Sequence, residues 1–154
     1  MWVPPEEKDP IVLHAPTRKS VALFGAVNVR TGQLVSMLIS QFDADTFEVF
    51  MSMLLRHRSR SRRTVVILDN ARYHRAEQSR PFFRTHRRQL RLDFLPPYSP
   101  ELNPIERVWK LLRKCATHNE YFPELDDLIM AVTKQLVEWS KPNRVLAKLC
   151  CLAA

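Results

Sequence analysis

Apolar and polar positions along this chain follow two rhythms, and each change of rhythm marks a new element. SVALFGAVNV, 20–29, is a mostly apolar, β-branched run that predicts a buried strand. Thr31 and Gly32 make a turn, and QLVSMLISQF, 33–42, returns as a second strand, so the pair predicts a hairpin. Phe47, Phe50, Met51, Leu54 and Leu55 then recur at i, i+3, i+4, i+7 and i+8, one face of an amphipathic helix. Asp45 and Glu48 form a near capping box at its start. TVVILD, 64–69, reads as the next strand, an Arg-rich segment as a helix over about 77–88, and LRLDFL, 90–95, as a further strand. The loop PPYSPELNP, 96–104, holds four prolines, which argue against regular structure.

The rhythm is helical again beyond that loop. Ile105, Val108, Trp109, Leu112 and Ala116 share one face. Pro123 suits a helical first turn, and Leu125, Leu128, Ile129, Val132 and Leu136 continue a last helix. Residues 1–17, with prolines at 4, 5, 10 and 16, predict an extended, irregular lead-in. The order β-β-α-β-α-β-α-α, without internal repeats, predicts an α/β class: a mixed sheet flanked by helices.

Length and charge narrow the reading. At 154 residues the chain suits one domain with a proper core, expected to span 1–154. Its 24 Lys and Arg against 16 Asp and Glu give a formal charge of +8. That balance favours an anionic partner, most simply DNA, through phosphate neutralisation; plain solubility charge is the alternative. The tracts 56–63 and 84–91 carry nine arginines and two histidines without interleaved aromatics. Such tracts suit phosphate contacts rather than base stacking, or else a solvated linker. Cys115, Cys150 and Cys151 have neither zinc spacing nor a disulfide pattern, which fits a reducing interior. There is no apolar signal core, and no run approaches the roughly 18 apolar residues of a membrane span. A cytoplasmic protein with no membrane association is expected.

Two carboxylates stand out. Asp69 ends an apolar strand, where open α/β sheets place their ligands, although Asp69–Asn70 also reads as an ordinary turn. Glu106 lies in the first turn of its helix, where a carboxylate also complements the helix dipole. Lys110 and Arg113 share its flank at i+4 and i+7, an arrangement equally suited to phosphate contact or to an intrahelical salt bridge. A strand end and a helix start delivering two carboxylates to one place would suit divalent-metal phosphodiester chemistry. Asn70 and Asn103 flank the two and could hydrogen-bond them from behind. His74 could contact a phosphate or orient water, but a lone loop histidine is more often solvated. Trp109 reads as core; Tyr98 could stack on a base but suits a loop anchor better.

LDNARYHRA, 68–76, followed by LPPYSPELNPIERVWKLLRK, 95–114, resembles the DDE domain of mariner-type transposases and their bacterial insertion-sequence relatives. FGAVNVRTG, 24–32, is similar to that family's second strand and hairpin turn. The 36 residues between Asp69 and Glu106 are close to the spacing of the family's second and third acidic residues. The resemblance implies an RNase H-like fold, two Mg²⁺ or Mn²⁺ ions, and DNA strand cleavage and strand transfer in transposition and integration. Asp69 and Glu106 are then the matching catalytic and metal-ligating residues. The family's first acidic residue lies on a strand upstream of a tryptophan whose counterpart here is Trp2. Asp9, Asp43 and Asp45 do not occupy that strand. The first strand and the N-terminal helix-turn-helix region are accordingly expected to be absent, and the two-metal site to be impaired. A sheet edge left open in this way invites pairing with another chain, so a homo-oligomer, a dimer, is expected. The other reading is a non-catalytic DNA-binding or oligomerising transposase fragment.

Overall fold

The computed structural model describes residues 11–13, 20–57, 61–118 and 120–151. Trp2, Asp9 and three residues of the first basic tract, 58–60, lie outside the described residues. The chain forms two compact units, one from 1–40 with 104–154 and the other from 41–103. No helix among the described residues is long and apolar enough to cross a membrane.

In the first unit β1 (Ile11–Leu13), β2 (Ser20–Val27) and β3 (Leu34–Ile39) form an antiparallel sheet in that order. The expected hairpin is present, with Ala22 opposite Ile39 and Val27 opposite Leu34. β3 stops at Ile39, short of the expected Phe42. Strand β1 corrects the reading of 1–17 as wholly irregular. Ile11, Val12 and Leu13 pair with Ala22, Val21 and Ser20, because three apolar residues suffice for a short edge strand and Pro10 lies just before it.

The hairpin turn depends on its glycine. Gly32 has φ +69°, and a Cβ there would lie 1.8 Å from the Asn143 carbonyl oxygen. Asn143 meets the turn with its backbone, donating N–H to the Thr31 carbonyl at 2.8 Å. Its side-chain oxygen accepts from the N–H groups of Val145 and Leu146 and so caps α5 (Arg144–Cys150). That helix was not evident in the chain's periodicity, because seven residues give too few apolar repeats to register.

Helix α3 (Pro104–Ala116) and α4 (Leu125–Trp139) complete this unit. α3 starts with Pro104 itself, whose missing N–H costs nothing at the first helical position. α4 begins after Pro123 rather than on it, with Glu124 as its N-cap residue. Val21, Leu23 and Leu34 of the sheet pack with Val108, Trp109 and Leu112 of α3, Leu128, Val132 and Leu136 of α4, and Leu146 of α5. Trp109 is core, as expected, at 2% exposure. It occupies space that only glycine leaves open, since a Cβ on Gly25 would come within 2.2 Å of its ring. Cys150 is buried in the same core, and burial pushes its thiol pKa up. Cys115 and Cys150 are free thiols.

The second unit comprises α1 (Ala44–Arg56), β4 (Thr64–Leu68), α2 (Arg80–Thr85) and β5 (Leu90–Phe94). β4 and β5 run parallel, with Thr64 opposite Leu90 and Leu68 opposite Phe94. The described strand pairing is therefore mixed in direction but falls into a three-stranded and a two-stranded sheet. The capping box of α1 is not Asp45 with Glu48. Asp43 is the N-cap: its carboxylate accepts from the Thr46 N–H at 2.8 Å, and Thr46 Oγ1 accepts in return from the Asp43 N–H at 3.2 Å. Thr46 supplies the return bond usually made by Glu, so the helix begins two residues earlier and Asp45 falls inside its first turn. The Thr46 N–H holds the Asp43 carboxyl below the usual carboxylate range. This stabilisation is complete above the ordinary carboxylate pKa and is lost as pH falls through the lowered one.

The expected helix over 77–88 is shorter. Two 3-10 turns, Arg72–Arg75 and Glu77–Ser79, precede it, and Pro81 lies in the first turn of α2, where its ring is tolerated. The proline-rich loop likewise contains a 3-10 turn, Pro100–Leu102. Its local i→i+3 bonds spare the N–H groups that prolines lack.

Two substitutions probe this packing. Gly25→Ala forces Trp109 or β2 to shift and should destabilise by about 1–3 kcal/mol in chemical denaturation. Ser79 is 1% exposed and its hydroxyl has no hydrogen-bond partner. Ser79→Ala should therefore leave the midpoint unchanged or raise stability by about 1 kcal/mol.

Candidate functional site

Asp69 directly follows β4, and a small hydrogen-bonded structure holds it there. Its Oδ1 accepts from the backbone N–H of Ala71 at 3.0 Å, the turn geometry that Asp favours. The same oxygen lies 3.0 Å from His74 Nδ1, which is also 3.1 Å from the Asp69 carbonyl oxygen. Five residues of chain close this loop because Arg72–Arg75 turns as a 3-10 helix, returning His74 to the strand end. The Asp69 side chain is 29% exposed and that of His74 only 10%. His74 is thus not the solvated loop histidine that its context suggested. Phe47 of α1 packs on its ring at 4.6 Å between centroids and Tyr73 meets it edge-on at 4.4 Å. Tyr73 in turn stacks on Phe42 at 5.8 Å.

Asn70 serves a different purpose from the one its position suggested. Its Nδ2 donates to the Leu95 carbonyl at 2.7 Å, and its Oδ1 accepts from Arg75. The Arg75 guanidinium lies 4.3 Å from the centre of the Phe94 ring. With the Leu95 N–H donating to the Leu68 carbonyl at 2.8 Å, these contacts tie the ends of β4 and β5 together. Asn70 therefore braces the start of the proline-rich loop rather than backing the Asp69 carboxylate.

Beyond that brace, Tyr98 is 88% exposed and has φ +57°. Its ring is therefore presented to solvent. Left-handed backbone is costly for a residue with a Cβ.

Glu106 belongs to the other unit and is half-buried in the first turn of α3. Lys110 and Arg113 are exposed on the same helix, and Asn103 is half-buried at the end of the 3-10 turn before it. The two carboxylates are described each within its own unit. Hard carboxylate oxygens suit Mg²⁺ or Mn²⁺, and a side chain already oriented like that of Asp69 fits the part of a ligand. Among the described residues no group of three or more His, Cys, Asp or Glu is gathered to hold a metal ion.

The basic tracts differ in how far they are engaged. Arg84, Arg87 and Arg88 are exposed, whereas Arg91 makes a two-pronged pair with Asp93 at 2.6 and 2.8 Å, which raises its pKa. Arg91 is thus partnered within the chain rather than presented as an open phosphate contact. Every basic Lys or Arg position in 41–103 is arginine, twelve in all.

A family model described as DDE superfamily endonuclease matches residues 1–129. The chain belongs to that family. An uncharacterized protein of Sinorhizobium fredii is 31% identical over 119 residues, covering 77% of this chain and 82% of that protein. Among solved structures, the Mos1 strand transfer complex matches with a TM-score of 0.58 and 17% identity, over 100% of this chain and 50% of its own. The simian T-cell lymphotropic virus intasome, in complex with PP2A regulatory subunit B56 gamma, matches with a TM-score of 0.53 and 14% identity. That likeness covers 79% of this chain and 44% of the other. The fold is RNase H-like, and the chain spans about half the length of these solved chains.

Asn70→Ala removes the tie between the end of β4 and Leu95. It should cost about 1–3 kcal/mol in thermal or chemical unfolding, because the Leu95 carbonyl loses its side-chain donor.

Proposed function

We propose that this DDE-family chain is a transposase domain for metal-dependent DNA strand cleavage and strand transfer, with 1–154 acting as one catalytic domain. The observation that carries the reading is Asp69 itself: a carboxylate at a strand end, oriented by two donors on Oδ1. Family membership and the 36-residue interval to Glu106 support assigning these two residues as catalytic, metal-ligating carboxylates. A bound Mg²⁺ or Mn²⁺ would supply a water of lowered pKa and charge stabilisation at the phosphoryl oxygens. The chain's own part is to hold the carboxylates in place and to meet the DNA backbone with exposed basic groups. Lys110 and Arg113 on α3 and Arg84, Arg87 and Arg88 in the other unit are exposed and suit phosphate contact. We also propose that the working form is a homo-oligomer, a dimer, in the cytoplasm.

A second reading, a non-catalytic DNA-binding or oligomerising fragment, is supported by the exposed Arg84, Arg87, Arg88, Lys110 and Arg113, which suit phosphate contact without cleavage. Nicking of supercoiled plasmid in Mn²⁺ separates the two. The cleavage reading expects nicking by the unaltered chain, lost in both Asp69→Asn and Glu106→Gln without loss of fold. Salt-sensitive plasmid binding with no nicking by any of the three would support the binding reading instead. Nicking that survives either substitution would refute the site assignment.

A further inference from the structure

His74 carries an assignment that neither its loop position nor the family motif supplies. Its Nδ1 faces two oxygens of one residue, the Asp69 carboxylate at 3.0 Å and the Asp69 carbonyl at 3.1 Å. Both are acceptors, so Nδ1 must carry the proton and donate to them. That fixes the tautomer: in the neutral ring Nε2 is the bare nitrogen. The ring itself has little freedom, being 10% exposed and packed against Phe47 and Tyr73.

The consequence falls on Asp69. A carboxylate at a strand end ordinarily samples several side-chain rotamers. Here the His74 donor and the Ala71 N–H at 3.0 Å converge on the same oxygen, and the second contact of Nδ1 ties the carboxylate to its own backbone. A ring needed only to fill space against Phe47 would require no donor at Nδ1. We infer that His74 is a positioning residue: its Nδ1–H fixes the Asp69 carboxylate in the orientation that receives a divalent cation. This rests on the reading of Asp69 as a metal ligand. It gives His74 no contact with phosphate and no proton-transfer role of its own.

The test uses amide side chains to separate the two ring nitrogens. In His74→Asn the amide nitrogen lies near the place of Nδ1, and in His74→Gln near that of Nε2. His74→Phe keeps a ring without any donor. Mn²⁺ binding to the full chain is measured by the paramagnetic resonance of free Mn²⁺, with melting in the absence of metal to establish folding. Loss of an orienting partner typically weakens metal affinity about 10–100-fold, so His74→Gln and His74→Phe should fall in that range while His74→Asn keeps most of the affinity. Asp69→Asn is the control for the underlying reading.

If Asp69→Asn binds Mn²⁺ like the unaltered chain, or the unaltered chain binds none, the metal assignment fails and the inference falls with it. If Asp69→Asn loses binding while His74→Gln keeps it, the inference alone is overturned. Equal loss in the Asn and Gln variants would overturn it too, by showing that ring shape rather than the donor matters. A second readout needs neither metal nor substitution. Long-range ¹H–¹⁵N correlation on the neutral ring should show the proton on Nδ1, and a proton on Nε2 would refute the inference.

Discussion

The close approach of Trp109 to Gly25 is the contact on which the first unit depends. An indole set directly against backbone requires a strand position with no Cβ, and any side chain there would overlap the ring. That one contact brings α3 down on β2, and the remaining apolar residues of α3, α4 and α5 close around it. Glu106 lies three residues before Trp109 on the same helix, so the seating of the tryptophan also fixes how Glu106 is presented. Apolar packing thereby sets the direction of a carboxylate one helical turn away.

Phe47 plays the corresponding part in the second unit. It lies on the buried face of α1 and meets His74, Tyr73 and Phe83 with its ring. The 3-10 turn after β4 is thus held from the helix side, while Asn70 and Arg75 hold it from the sheet side. Asp69 sits where these two supports meet. A polar strand end can be rigid when aromatic packing and side-chain hydrogen bonds restrain it from opposite directions.

Much of this was legible in the chain, and the failures have physical causes. The hairpin, α1, α3 and α4 follow from apolar periodicity, and Trp109 is core as its face of α3 requires. β1 and α5 are too short to establish a rhythm. The start of α1 was misplaced because Thr46 can answer Asp43 as Glu more often does, and composition does not reveal which acceptor reaches which N–H. The candidate site divides in the same way. The strand-end place of Asp69 and the first-turn place of Glu106 could be read from pattern. The burial of His74 could not, since it depends on Phe47, 27 residues away in sequence, and the five-residue spacing from Asp69 becomes informative only once the turn is known to be 3-10. Asn70 was misassigned because adjacency in sequence to a carboxylate says nothing of where an amide points.

The arginine-only character of 41–103 has a consequence of a different kind. A guanidinium keeps its charge throughout the pH range in which proteins fold, and its fork matches phosphate with two parallel bonds. A lysine amine, by contrast, can be acetylated and so neutralised. All seven lysines of this chain lie outside 41–103. Amine-directed chemistry, whether enzymatic acetylation or a laboratory cross-linker, therefore addresses one unit and passes over the other. The positive charge of the unit that carries Asp69 is in that sense permanent, whereas that of the unit carrying Glu106 can be edited.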